Sequence, residues 1–234
     1  MSAPSISRNY CIYCGARAVT RDHVPPRLLL ERPFPPNLRT VPSCLRCNHG
    51  ASLDEQYFLT LIGQVSISAS IAAKLESGGV IERTLARSPA LEERLLNALG
   101  IDEQTGAPFI RPETARVNKV VGKIALGLFA LRYGRIPPAH EMWPIGFYPY
   151  QTRDDRPWPI FIATITERFK SKPWRTVQRG VFSYIFVRGP NQGGNVWCIM
   201  DIHQSFWGVV CFENPKSGRA QRAQRRLFSE PDAT

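Results

Sequence analysis

Two Cys-x-x-Cys pairs, Cys11/Cys14 and Cys44/Cys47, bracket the hexapeptide Arg21-Asp22-His23-Val24-Pro25-Pro26. Together the pairs supply four thiolates, the closed tetrahedral set of a structural zinc site. An iron–sulfur cluster or four unligated thiols are the other uses of such a set. In a knuckle the backbone amides point at the thiolates, and Gly15 directly after Cys14 permits the tight turn. The Asp-His pair suggests hydrolysis. A neutral imidazole, with an ordinary pKa near ~6.5, can take a proton from water at neutral pH. A carboxylate is a hard oxygen donor of the kind Mg²⁺ prefers, whereas thiolates are soft and select zinc. Pro25 and Pro26 remove backbone freedom just after the histidine and so reduce the entropy lost in fixing it. The structural alternative is a hydrogen-bonded pair that only caps the zinc module.

Taken in order, CIYCG (11–15), DHVPP (22–26), NL (37–38) and VPSCLRCN (41–48) resemble the HNH nuclease motif in its zinc-stabilised form. The resemblance implies a ββα-metal (His-Me finger) fold, with two antiparallel strands joined by an Ω-like loop and followed by a helix. It makes His23 the general base and Asp22 a ligand of a catalytic divalent ion, Mg²⁺ or Mn²⁺. Asn37 becomes the middle Asn that pins the loop and orients the base. Asn48, directly after the fourth cysteine, becomes the second ligand of that ion. The family often has histidine at this last position, so the copy here reads H-N-N. His49 is the neighbour that competes for the assignment. The resemblance does not extend over residues 51–234.

Composition bears on the partner. The chain has 30 Lys plus Arg against 19 Asp plus Glu, a formal charge of +11. This favours a polyanion, either nucleic acid or an anionic membrane surface. Residues 1–50 concentrate the effect, with seven arginines against Asp22 and Glu31. A segment this short and polar needs a staple, and zinc binding would amount to its folding energy. Arg21, Arg27, Arg39 and Arg46 are expected to include the phosphate contacts, which position a nucleic acid without reading its sequence. Trp143, Trp158, Trp174, Trp197 and Trp207 could stack on bases, although tryptophans in a β region more often serve as core. The longest clean apolar run, Ile124–Leu131, is too short to span a bilayer, and the N-terminus lacks the apolar centre of a secretory signal. A cytoplasmic location follows as the expectation, with cysteines kept reduced. Cys198 and Cys211 then read as small buried hydrophobes.

The elements that must position these residues give an α+β chain. Residues 1–56 form the zinc-stapled ββα-metal module. Residues 57–111 are helical: Ser52-Leu53-Asp54-Glu55 reads as a capping box opening a helix over 53–76, and shorter helices follow at 80–87 and from Ser88-Pro89 to Gly100. Residues 101–111 read as a loop or short extended piece. Residues 112–213 combine a long helix, from Pro112-Glu113-Thr114 to Tyr133, with an antiparallel sheet. Its strands are IFIATI (160–165), VFSYIFV (181–187), VWCIMDI (196–202) and FWGVVCF (206–212), with NQGGN (191–195) as a turn. Residues 214–234 form a basic, disordered tail.

Three functions follow as expectations. The first is a metal-dependent HNH endonuclease hydrolysing phosphodiester bonds of DNA, most often double-stranded, with zinc as structural metal. The second is a non-catalytic zinc-dependent nucleic-acid-binding protein. The third is the nuclease subunit of a defence complex that meets a protein partner through residues 112–213.

Overall fold

The computed structural model describes residues 7–65, 74–76, 78–101, 103–104, 106, 108–137, 142–149, 171–188 and 195–212. Strand β1 (Thr20–His23) pairs antiparallel with β2 (Thr40–Ser43), and a one-turn helix α1 (Leu45–His49) follows at once. The register sets Asp22 opposite Val41 and His23 opposite Thr40. Because successive strand residues point to opposite faces, Thr20, Asp22, Val41 and Ser43 share one face. Arg21, His23, Thr40 and Pro42 share the other. Asp22, Val41 and Ser43 are buried, whereas Arg21 is exposed and His23 half-buried. The acid and the histidine therefore leave the strand in opposite directions.

Helix α2 (Ser52–Val65) buries Tyr57, Phe58, Leu61 and Ile62, the helical spacing that the sequence shows. It is described as far as Val65; residues 66–73 lie outside the described set, and Lys74 and Leu75 are helical. The expected capping box does not form. Ser52 Oγ donates to His49 O (2.7 Å), and the Glu55 carboxylate turns instead to Lys123. Helices α3 (Val80–Ala86) and α4 (Pro89–Ala98) follow, the latter with Ser88 at its N-cap and proline in its first turn. The extended piece expected near 101–111 is half of a small hairpin, β3 (Leu99–Ile101) with β4 (Pro108–Ile110).

Helix α5 (Thr114–Tyr133) organises the interior. Val117, Val120, Val121, Ile124, Ala125, Leu128 and Phe129 are buried along its length, and Gly134 ends it at φ +65° with its N–H on Ala130 O. Against it lies a five-stranded antiparallel sheet in the order β5-β9-β8-β7-β6: β5 (Met142–Pro149), β6 (Arg175–Gln178), β7 (Phe182–Arg188), β8 (Val196–Ile202) and β9 (Phe206–Phe212). One sheet face, with Phe182, Cys198, Met200, Val210 and Phe212, joins the main core, where Phe129 and Phe212 rings sit 4.4 Å apart. The opposite face gathers Ile185, Val187, Trp197, Ile199, Val209 and Cys211. The three predicted strands from 181 onward thus match β7, β8 and β9. The strand expected at 160–165, the turn residues 191–194 and the tail lie outside the described residues. Strands β5 and β6 escape the sequence reading. Pro144 and Pro149 interrupt any strand pattern in β5, and the sheet tolerates them because β5 is an edge among the described strands, with a bulge after Pro144. Residues from Ile12 to Phe212 belong to one continuous buried cluster, which crosses the boundaries drawn at 56 and 111. No helix among the described residues is long and apolar enough to cross a membrane.

The ββα unit meets α5 at a glycine. A methyl group on Gly127 would lie 2.7 Å from Val24 Cγ2, and Val24 is the residue directly after His23. Gly127→Ala should therefore lose more through overpacking than it gains in helix propensity, about 1–3 kcal/mol against about 1. Urea unfolding is expected to show a lower midpoint with an unchanged slope.

Candidate functional site

The first knuckle is a hairpin turn. Tyr10 bridges to Arg17, Cys11 N donates to Ala16 O (2.7 Å), and Gly15 N donates to Cys11 O (2.9 Å) with φ at +76°. The second knuckle is the start of α1, where Cys44 is the N-cap and its Sγ accepts the Cys47 N–H (3.4 Å). Backbone pairing brings the knuckles together, with Ile12 N on Pro42 O and Val19 N on Ser43 O. The four Sγ atoms all lie within 4.8 Å of one another, and those of Cys14 and Cys44 are 3.7 Å apart. Four sulfurs at about 2.3 Å from a central zinc would be separated by about 3.8 Å. The cluster thus has the dimensions of a tetrahedral thiolate site and can hold a structural metal such as zinc. Burial raises the Cys11 thiol, but hydrogen bonds from the backbone at Cys44, Tyr13 and Cys14 outweigh it and bring the pKa down to about 7, whereas burial and hydrogen bonds with Cys14 and Cys44 push the Cys47 thiol up. Among the described residues no other grouping of three or more His, Cys, Asp or Glu side chains could share an ion.

Asn48 sits in the last turn of α1 and reaches across to β1. Its Nδ2 donates to Thr20 Oγ1 (3.2 Å) and Arg21 O (3.4 Å). With the amide nitrogen spent on the strand, Oδ1 is the atom left to ligate. His49, its rival in the sequence, is exposed and one residue beyond these contacts.

Asp22 has a different environment from the one the sequence suggests. It is 6% exposed, accepts the Tyr13 hydroxyl on Oδ2 (2.9 Å), and pairs with Lys123 Nζ at the same oxygen (2.9 Å). Lys123 also donates to Glu55 Oε1 (2.6 Å). Burial alone would lower the lysine's pKa, yet Glu55 and Asp22 outweigh it and hold the ammonium above its ordinary value. A resident cation on α5, shared with Glu55, thus already occupies one oxygen of the carboxylate expected to hold an exchangeable one. Asp22 keeps only Oδ1 for any further ligand.

His23 lies on the opposite, more open face of β1. Its pKa is lowered by burial and by the charge of Arg27, partly offset by Asp22. The imidazole is accordingly neutral at pH 7, the state a general base requires. The segment after it is tied down at several points. Val24 N donates to Arg39 O (3.0 Å), closing the loop between β1 and β2. Lys74 Nζ donates to Leu30 O (2.8 Å), and the Gln178 side chain clasps Glu31 by accepting from its N (2.9 Å) and donating to its O (3.0 Å). Asn37 occupies an exposed turn closed by Leu38 N on Pro35 O (3.1 Å). Among the described residues no side-chain bond from Asn37 pins the loop; backbone pairing, Lys74 and Gln178 do that instead.

Of the arginines, Arg21 is fixed on Thr40 through Oγ1 (2.7 Å) and O (3.1 Å), while Arg27, Arg39 and Arg46 are exposed. Trp197 is buried, and Trp174 and Trp207 pack together at 5.4 Å on the second sheet face. Trp158 and the Trp143 side chain lie outside the described set. Cys198 and Cys211 are buried, as the sequence suggests. Tyr13, Glu55 and Lys123 were not foreseen, although Tyr13 lies inside CIYC and Lys123 is a lone charge in an otherwise apolar run, VVGKIAL. Compared with protein-family models, with curated proteins and with solved structures, the chain matches none.

Two outcomes follow. Zinc analysis should find one ion per chain, and chelation or Cys44→Ser should release the β1–β2–α1 unit, seen as new amide exchange across residues 11–48. Lys123→Met strands two buried carboxylates and should cost roughly 3–5 kcal/mol, with much of it recovered when Asp22→Asn and Glu55→Gln are added. Urea unfolding of the zinc-loaded proteins measures both effects.

Proposed function

We propose that this chain is a metal-dependent endonuclease of the HNH kind that hydrolyses phosphodiester bonds of nucleic acid, foremost double-stranded DNA. The observation that carries the reading is the bond from Asn48 to β1. It ties the helix that carries the fourth cysteine to the strand that ends in His23, within a unit stapled by four thiolates. Charge segregation supports a phosphate partner. Among the described residues the ion pairs engage Arg94, Arg116, Lys119 and Lys123, and none engages an arginine of residues 8–46. Among the described residues the ββα surface is therefore basic and without ion pairs to its arginines.

His23 takes the proton of the attacking water, and its depressed pKa keeps the imidazole ready for that transfer. Arg27, whose charge reaches the imidazole, and Arg21, braced on Thr40, present positive charge on the His23 face. A Mg²⁺ or Mn²⁺ ion, if held by Asn48 Oδ1 and Asp22 Oδ1, would supply charge stabilisation at the phosphate and the leaving oxygen. These are hard oxygens and suit such an ion in type. Lys123 favours a second reading, a zinc-dependent nucleic-acid-binding protein without catalysis, because Asp22 Oδ2 is already taken by a cation and a hydroxyl from within.

Incubation with plasmid and Mg²⁺ or Mn²⁺ separates the two. Under the nuclease reading, His23→Ala lowers cleavage by about 10²–10⁴-fold while zinc content and DNA binding stay the same. The rate should fall on the acid side with a midpoint under the ordinary histidine value, since burial and Arg27 push the imidazole's half-protonation point down. Arg27→Ala removes one of those causes and should move this limb upward. Undiminished cutting by His23→Ala would overturn the base assignment. Binding without cutting under every metal condition would establish the second reading.

A further inference from the structure

The loop between β1 and β2 carries a feature that neither zinc binding nor the general base requires. Arg27 and Arg32 both place their guanidinium carbons over the ring of Phe34, at 5.3 and 5.1 Å from its centre. Both arginines are exposed, and the ring is half-buried against the main core. Two like charges gathered around one ring repel each other. Glu31, the acid between them in sequence, forms no ion pair with either among the described residues. The backbone linking them is fixed, with Leu29 and Leu30 buried, Leu30 O held by Lys74, and Glu31 clasped on both its N and O by Gln178. The guanidiniums are thus presented from an anchored platform rather than from a mobile loop. Stacking on an aromatic face orients their planar forks, which match phosphate oxygens two at a time.

We infer that Arg27, Phe34 and Arg32 form a phosphate clamp that holds the backbone of a nucleic acid beside His23. The inference rests on the nucleic-acid reading above and names the residues that position the strand. Arg27 lies four residues after His23, on the same tied-down segment between β1 and β2, so a phosphate bound there is held by the stretch of chain that carries the base. Arg21, Arg39 and Arg46 supply further charge, but none of them stacks on a ring among the described residues. Because the contacts go to phosphate, the clamp positions without selecting sequence.

The test measures binding of a fluorescent 20-base-pair DNA duplex by the full zinc-loaded chain, without divalent ions, at several salt concentrations. Each phosphate contact contributes a slope of about 0.9 in log affinity against log salt. Arg27→Ala with Arg32→Ala should reduce the slope by about 1.8 and weaken binding at 0.1 M salt roughly 60-fold. Arg27→Lys with Arg32→Lys should restore the slope but only part of the affinity. Phe34→Leu keeps both charges and should weaken binding several-fold with little change in slope. Arg94→Ala, whose side chain is paired with Glu113, is the control and should change neither. Zinc content and melting temperature confirm that each variant is folded. If the wild-type chain binds duplex but the double alanine variant keeps its slope, the clamp is refuted and the nucleic-acid reading stands. If the wild-type chain does not bind DNA, that broader reading fails as well. Equal binding of polyglutamate with the same losses would show a general polyanion surface and also overturn the clamp.

Discussion

The ammonium of Lys123 lies between two carboxylates from separate parts of the chain, Asp22 on β1 and Glu55 on α2, and all three are nearly removed from water. Isolated charges at such depth would be prohibitive, so each is tolerated only because the others are present. The arrangement fixes where α5 can lie relative to the ββα unit. Neighbouring contacts extend it along the helices: Asp54 of α2 takes Arg116 and Lys119, each a turn or two before Lys123. The α2–α5 interface is therefore apolar in its centre and ionic along one margin. The zinc-sized cluster of thiolates plays a complementary part. It sets the internal geometry of the first fifty residues, whereas the Lys123 group sets their attachment to the rest.

The same group complicates the chemistry of the site. A carboxylate that already serves a buried lysine and a tyrosine hydroxyl is poorly placed to exchange ligands with solvent. His23, by contrast, faces outward and is kept uncharged by partial burial and by Arg27. The two halves of the Asp-His dipeptide thus have separate duties. One anchors the unit to its helix, and the other looks toward the basic surface.

Much of this organisation was legible in the residues. The knuckle spacing gave the thiolate cluster, because four cysteines in two short loops leave few other arrangements. Helix α5 was readable from its apolar stripe and its closing glycine, and β7, β8 and β9 from their β-branched and aromatic content. The failures have specific causes. Alternation along β1 separates Asp22 from His23, and adjacency in sequence conceals that until the register is known. The partner of Asp22 is Lys123, which no local pattern around residue 22 could supply. The loop-pinning duty expected of Asn37 falls instead to Gln178 and Lys74, far along the chain. Proline-bearing β5 was lost because a strand with a bulge at a sheet edge need not follow central-strand preferences.

The clasp of Gln178 on Glu31 spans 147 residues of sequence. During synthesis the first fifty residues leave the ribosome long before β6 exists, so zinc can organise the knuckles while the loop beyond His23 still lacks its final restraint. Contacts of such long range are closed late in folding. A nascent chain would therefore carry a formed thiolate cluster and an unfinished loop beyond His23, and the order of translation itself would delay maturation of that surface until the carboxy-terminal sheet has assembled.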